Sequence, residues 1–161
     1  MIRTSVLAVV LLAASISAVL ADDPPPHKRG LWEVASGQKG EAPTVARMCF
    51  DAASEAKMNK MVDETLAAGC TRHESHLRGN VLTTDSVCSL MGFDKTSHGV
   101  MNFEGDTAYA LTTTSRDNAA KAGASEETMI LTGKWLGECG PDLKPGEMLV
   151  AGKKMSFIGK R

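Results

Sequence analysis

Large rings are scarce in this chain: two Trp, one Tyr and four Phe among 161 residues, so small and unbranched apolar side chains must fill whatever core forms. A surplus of positive charge is missing as well. Eighteen basic residues stand against 19 acidic ones, a net charge of -1, which provides no field to attract a phosphate backbone or an anionic bilayer; no nucleic acid is expected as a partner. No two cysteines are spaced as C-x-x-C. Cys49, Cys70, Cys88 and Cys139 lie 21, 18 and 51 positions apart, unlike a structural zinc site or a redox-active dithiol. Neither G-x-S-x-G nor H-E-x-x-H occurs, and no internal repeat is visible. Past residue 21 no apolar run approaches the roughly 20 residues that a membrane span requires. The length suits one domain.

The chain opens with MIRTSVLAVVLLAASISAVLA: one positive charge at Arg3, an apolar run, then small residues ending at Ala21. This is the pattern of a secretory signal peptide over residues 1–21, with Val19 and Ala21 as the small residues before the cut. Ser15 and Ser17 interrupt the run, which argues against an uncleaved anchor, and no membrane span is expected after cleavage. Removal leaves 17 basic and 19 acidic residues, a charge of -2. Residues 22–29 (DDPPPHKR) follow, and three consecutive prolines favour an extended, flexible arm without amide donors for a sheet. The remainder, residues 30–161, reads as a single disulfide-bonded β-rich domain.

An even number of cysteines in an exported domain of this size points to two disulfides. The preferred pairing is Cys49–Cys70, tying the two ends of the helix described next, with Cys88–Cys139 fastening a middle strand to a late one. The alternative is Cys70–Cys88 across a hairpin at Arg78, Gly79 and Asn80. A three-residue loop there would place the two cysteines opposite each other, whereas a two-residue Gly79-Asn80 turn would put them on opposite faces. Register decides between them.

Residues 30–36 (GLWEVAS) and 44–50 (TVARMCF) have strand composition and flank a turn region of Gly37, Gly40 and Pro43. Asp51 is a plausible N-cap. Met58, Met61, Val62, Thr65 and Leu66 then recur at helical spacing opposite Lys57, Asn59, Lys60, Asp63 and Glu64, with Gly69 as the stop; this predicts one helix near residues 52–68 packed through that stripe on a sheet. From Cys70 the chain reads as antiparallel strands near 71–77, 81–90, 98–104, 107–116 and 128–137. Gly105-Asp106 serves as a two-residue hairpin loop that sets Phe103 beside Ala108 and Met101 beside Ala110. Residues 117–127 (DNAAKAGASEE) read as a long loop, and 148–151 with 155–158 as a closing hairpin with a basic tip. The fold class is α+β, mainly β: a curved antiparallel sheet or incomplete barrel of about seven strands with one helix.

Candidate chemistry is sparse. His73 and His76 are three apart on a strand and so face opposite sides, which denies both to one ion. His98 stands beside Ser97 with no identifiable acid partner. The nine methionines, with Met58 and Met61 on one helix face, admit a copper(I) reading, against which the same stripe is what a helix lying on a sheet requires. No catalytic residue, metal site or cofactor is expected. Trp32 and Trp135 are candidates for lining a ligand cleft or for capping the core, Trp135 alternating with Met129 and Leu131 as an inward-facing strand residue would.

Gly30-Leu31-Trp32-Glu33, the lone cysteines Cys49, Cys70 and Cys88, the run Gly133 to Cys139 (GKWLGEC) and Lys144-Pro145-Gly146-Glu147-Met148 together resemble family 3617 of the domains of unknown function. The resemblance implies a small exported protein of a Gram-negative periplasm and brings no catalytic residues. Two functions then compete. One is a non-enzymatic envelope module that contacts another protein or a cell-wall component. The other is a carrier or sensor holding a small apolar ligand in the mouth of the curved sheet.

Overall fold

Alternating polar and apolar residues dominate the chain from Gly30 onward, and that period of two is expressed as strands. The computed structural model describes residues 27–90, 92–118 and 126–159; the expected signal peptide at 1–21, residues 22–26 of the arm and most of the 117–127 loop lie outside the described residues. In chain order the elements are β1 (Gly30–Gln38), β2 (Thr44–Phe50), α1 (Ala52–Gly69), β3 (Cys70–Arg78), β4 (Val81–Leu90), β5 (Phe93–Glu104), β6 (Ala108–Asp117), β7 (Glu127–Gly137), β8 (Glu147–Val150) and β9 (Lys153–Ser156). The seven expected strands form, and so does the closing hairpin, β8–β9. All pair antiparallel in one open sheet with the order β3-β4-β5-β6-β7-β1-β2-β8-β9. Among the described residues the fold is mainly β with a single helix.

Asp51 caps that helix. Its carboxylate accepts the Ser54 N–H at 2.7 Å while Ser54 Oγ accepts the Asp51 N–H at 2.9 Å, a reciprocal pair that satisfies two orphan donors of the first turn. These bonds hold the Asp51 carboxyl below its ordinary range, the Ser54 backbone bond contributing most. Gly69 does not stop the helix; it is the last helical residue, and the extended Cys70 is the cap, donating its N–H to Leu66.

The apolar stripe of α1 is not packed on the sheet as expected. Ser54 is its one buried residue, and Met61 and Val62 are both 46% exposed. Geometry explains the difference. β2 and β3 are seventh and first in the sheet order, six spacings or about 29 Å along a flat sheet, and 18 helical residues span about 27 Å. The helix touches β2, β3 and β4 and no other strand, so it serves as a spacer between distant strands, and spacing of side chains alone could not reveal that.

The same length rules out the pairing Cys49–Cys70. Those cysteines flank the helix, and a disulfide needs Cα atoms within about 7 Å. The bridges are Cys49–Cys139, with Cα atoms 5.7 Å apart, and Cys70–Cys88, so Cys88–Cys139 is corrected as well. The second bridge forms in a way neither loop length alone provides. Arg78 pairs with Val81 across a two-residue turn, which would set the cysteines on opposite faces, but a bulge between Cys70 and Arg72 absorbs one residue and returns Cys70 to a position opposite Cys88.

A second register also differs. Glu104 pairs with Ala108, so the β5–β6 loop holds three residues, and Phe103 lies opposite Tyr109 and Met101 opposite Leu111. The one-residue slip exchanges faces: the partners of Met101 and Phe103 are large side chains, not the alanines expected.

Among the described residues the buried apolar side chains are few, namely Trp32, Cys49, Phe50 and Leu143. Rings gather around them, Phe50 with Phe157 at 4.9 Å, His27 with Phe50 at 5.6 Å and Trp32 with Tyr109 at 5.7 Å between centroids. The last three residues of the arm are part of this cluster. Lys28 donates its N–H to Asp106 O at 2.9 Å and accepts from Trp32 Nε1 at 2.8 Å, while Arg29 O accepts from Trp135 Nε1 at 3.1 Å. The flexibility expected of residues 22–29 therefore does not extend to His27, Lys28 and Arg29, because two indole N–H groups need acceptors and these carbonyls supply them.

Candidate functional site

Regular pairing from β3 to β7 lets the two faces of the sheet be read row by row. Leu77 lies opposite Leu82, Leu82 opposite Met101, Met101 opposite Leu111 and Leu111 opposite Leu131. Five long aliphatic side chains thus form one continuous row across five strands, about 19 Å in extent at four strand spacings. All five are of intermediate exposure. The next row on this face is Phe103, Tyr109, Gly133, Val34, Ala46 and Val150. Gly133 is required there. A Cβ at that position would meet the Tyr109 ring at 2.2 Å, so the ring lies flat across the strand and reaches Trp32, and burial raises the Tyr109 phenol above its ordinary value.

Among the described residues no helix lies over Met101, Leu111 and Leu131. The helix does not touch β5, β6 or β7, and close backbone approaches between strands are confined to hydrogen-bonded neighbours, with side chains reaching one strand further where Trp32 meets Tyr109 and Lys95 meets Glu127. Single sheets of this kind leave a face for something else to cover.

The opposite face carries a polar row three residues further along the strands. Glu74, Asp85, His98 and Thr114 stand in one cross-strand row. His98 has an acid partner after all: its Nδ1 is 2.9 Å from Asp85 Oδ1, and this hydrogen bond, more than any other influence, holds Asp85 below its ordinary range. The partner was invisible because Asp85 is 13 positions away and on the adjacent strand. Ser97, the hydroxyl next to His98 in sequence, points to the other face and bonds Ser115 at 2.8 Å. Glu74 forms a two-pronged bond to Arg72, at 3.0 and 2.9 Å, which lowers its carboxyl below the usual range. His73 and His76 are on opposite faces, and the described residues contain no cluster of three or more metal-ligating side chains.

Trp32 and Trp135 are both held by the 27–29 strap. Trp32 is 2% exposed, Lys28 Nζ sits 4.5 Å over the Trp135 ring, and both indole nitrogens bond the backbone of the 27–29 strap. They close one end of the aliphatic face. The row itself was missed in the sequence because it depends on the β5–β6 register: the expected two-residue loop set Met101 beside Ala110 and so placed Leu111 on the other face.

A family model described as "Protein of unknown function (DUF3617)" matches residues 27–139. The chain belongs to this family. The matched DUF3617 segment includes β1 to β7, the helix, both tryptophans and all four cysteines, and it begins at His27, the first residue of the strap. The Lys144 to Met148 motif and the β8–β9 hairpin lie beyond it. No curated protein and no solved structure matches this DUF3617 chain.

Proposed function

We propose that this is an exported periplasmic module without catalytic activity, which binds a protein of the cell envelope through the aliphatic face of β3 to β7. One observation carries the reading: a five-residue row of Leu and Met crosses the sheet, and among the described residues no helix contacts the three strands that carry its Met101, Leu111 and Leu131. Interface centres are apolar and depleted in charge, as this row is, and a protein surface matches it better than a hydroxyl-rich cell-wall glycan does. Two disulfides suit an oxidising compartment. No helix among the described residues is long and apolar enough to cross a membrane.

Site-specific photocrosslinking in cells tests this. A benzophenone side chain placed at Leu111 is expected to trap one envelope protein, whereas the same group at Thr112, on the other face, traps none. Met101→Lys or Leu131→Lys should abolish the adduct while near-ultraviolet circular dichroism stays unchanged. Equal trapping from both faces overturns the proposal. A co-purifying apolar molecule of fixed mass in native mass spectrometry, with no protein adduct, would replace it with the carrier reading.

A further inference from the structure

On the other face of the sheet, the segment after Cys139 folds back across β1, β2 and β8. The Cys49–Cys139 bridge anchors it, and beneath it Cys49 is fully buried and Leu143 is 7% exposed. Beside this anchor is a hollow of about 430 Å³ whose lining includes Leu31, Leu143, Leu149, Arg47, Lys154 and Asp142, a size within the range of small-molecule sites. Its chemistry is two-sided. Leu31, Leu143 and Leu149 give an apolar floor. Arg47, Leu149 and Lys154 occupy one cross-strand row on β2, β8 and β9, so the two cations flank the leucine, one strand spacing away on either side.

Neither cation is firmly held by an acid. Arg47 meets Glu33 through Nε at 3.4 Å with both side chains largely exposed. Lys154 Nζ is 3.9 Å from Glu147 Oε2, an oxygen that already accepts the Lys144 N–H at 2.9 Å. Exposed pairs at such distances add little, and both cations can turn to a better acceptor. Asp142 is the one acid among the described residues of the lining.

We propose that this hollow binds a small amphipathic anion, a medium-chain carboxylate whose tail lies on the three leucines and whose head group is shared by Arg47 and Lys154. Charge complementarity selects the head, since charge-assisted bonds from a guanidinium and an ammonium outlast neutral ones. The tail is selected by the floor. The site is on the face opposite the aliphatic row, so it stands or falls separately from the partner-binding reading.

Isothermal titration of the intact oxidised protein with octanoate, octanol and acetate tests it. Saturable octanoate binding is expected, with octanol and acetate each weaker by about 10-fold or more, the scale of losing one charged hydrogen bond or a buried apolar tail. Arg47→Gln and Lys154→Gln should each weaken octanoate by roughly 3- to 10-fold, and Asp142→Asn should strengthen it. Urea unfolding midpoints of these variants should match the parent, as the exchanged groups are at the surface. Octanol binding as tightly as octanoate, indifference to both cation variants, or no saturation at millimolar octanoate overturns the proposal. None of these results bears on the Leu111 crosslink.

Discussion

Tyr109 and Gly133 show how a chain poor in rings makes one ring do the work of a small core. On most strands a residue beside Tyr109 would fend the ring off; here the bare Gly133 backbone lets it lie down and extend the aromatic cluster to Trp32. A methyl group at residue 133 has nowhere to go. Gly133→Ala is expected to destabilise the protein by about 1–3 kcal/mol, the usual cost of overpacking. In a Tyr109→Ala background the same change should be close to neutral, because the clashing ring is gone. Urea denaturation of the four proteins in that cycle measures the coupling, and additive costs would show that Gly133 is needed for another reason. The Asp85–His98 pair belongs to this scale too. It joins adjacent strands at an exposed site, where such pairs contribute little to folding.

At the level of elements, the two disulfides differ in what they enclose. Cys70–Cys88 closes a separation of 18 residues and Cys49–Cys139 one of 90, which in the chain-entropy model correspond to about 3 and about 4.5 kcal/mol. Replacing Cys49 and Cys139 together by Ala should therefore cost the more of the two double substitutions, by about 1 kcal/mol or somewhat above. Unfolding midpoints under matched conditions check the order, and the reverse order would place the dominant effect in the folded state. Much of this level was legible in the sequence. Strand periodicity and turn residues placed the seven longer strands and the hairpin, and Asp51 marked the helix start. What was not legible shares one physical cause: a strand tells its own period but not its partner's offset. One extra residue in the loop after Glu104, or one bulge at Cys70, moves whole rows between faces, and with them the aliphatic row and the disulfide pairing. The exposed stripe of α1 has a related origin, since helical spacing records which residues share a side and not what meets that side.

The molecule as a whole is one open sheet, and an open sheet has two edges. β3 carries Arg72, His73, Glu74, His76 and Arg78, and β9 carries Lys153 and Lys154, charges that discourage edge-to-edge pairing between copies. Substituting Arg72 and Glu74 by Val should bring concentration-dependent association, visible as earlier elution on size exclusion at high concentration; unchanged elution would mean that the bulged geometry of β3 protects the edge unaided. The 27 Å span of α1 has a further bearing on how the chain is made. Synthesis delivers Cys49 and Cys70 long before Cys139 emerges, and sulfurs that appear in succession tend to join in succession. Once wound, the helix holds that tempting pair out of reach, leaving Cys70 to the neighbour it meets next and Cys49 to wait for the distant one. The wound helix excludes that mispairing by its length alone, and a chain oxidised before its helix formed would have no such bar.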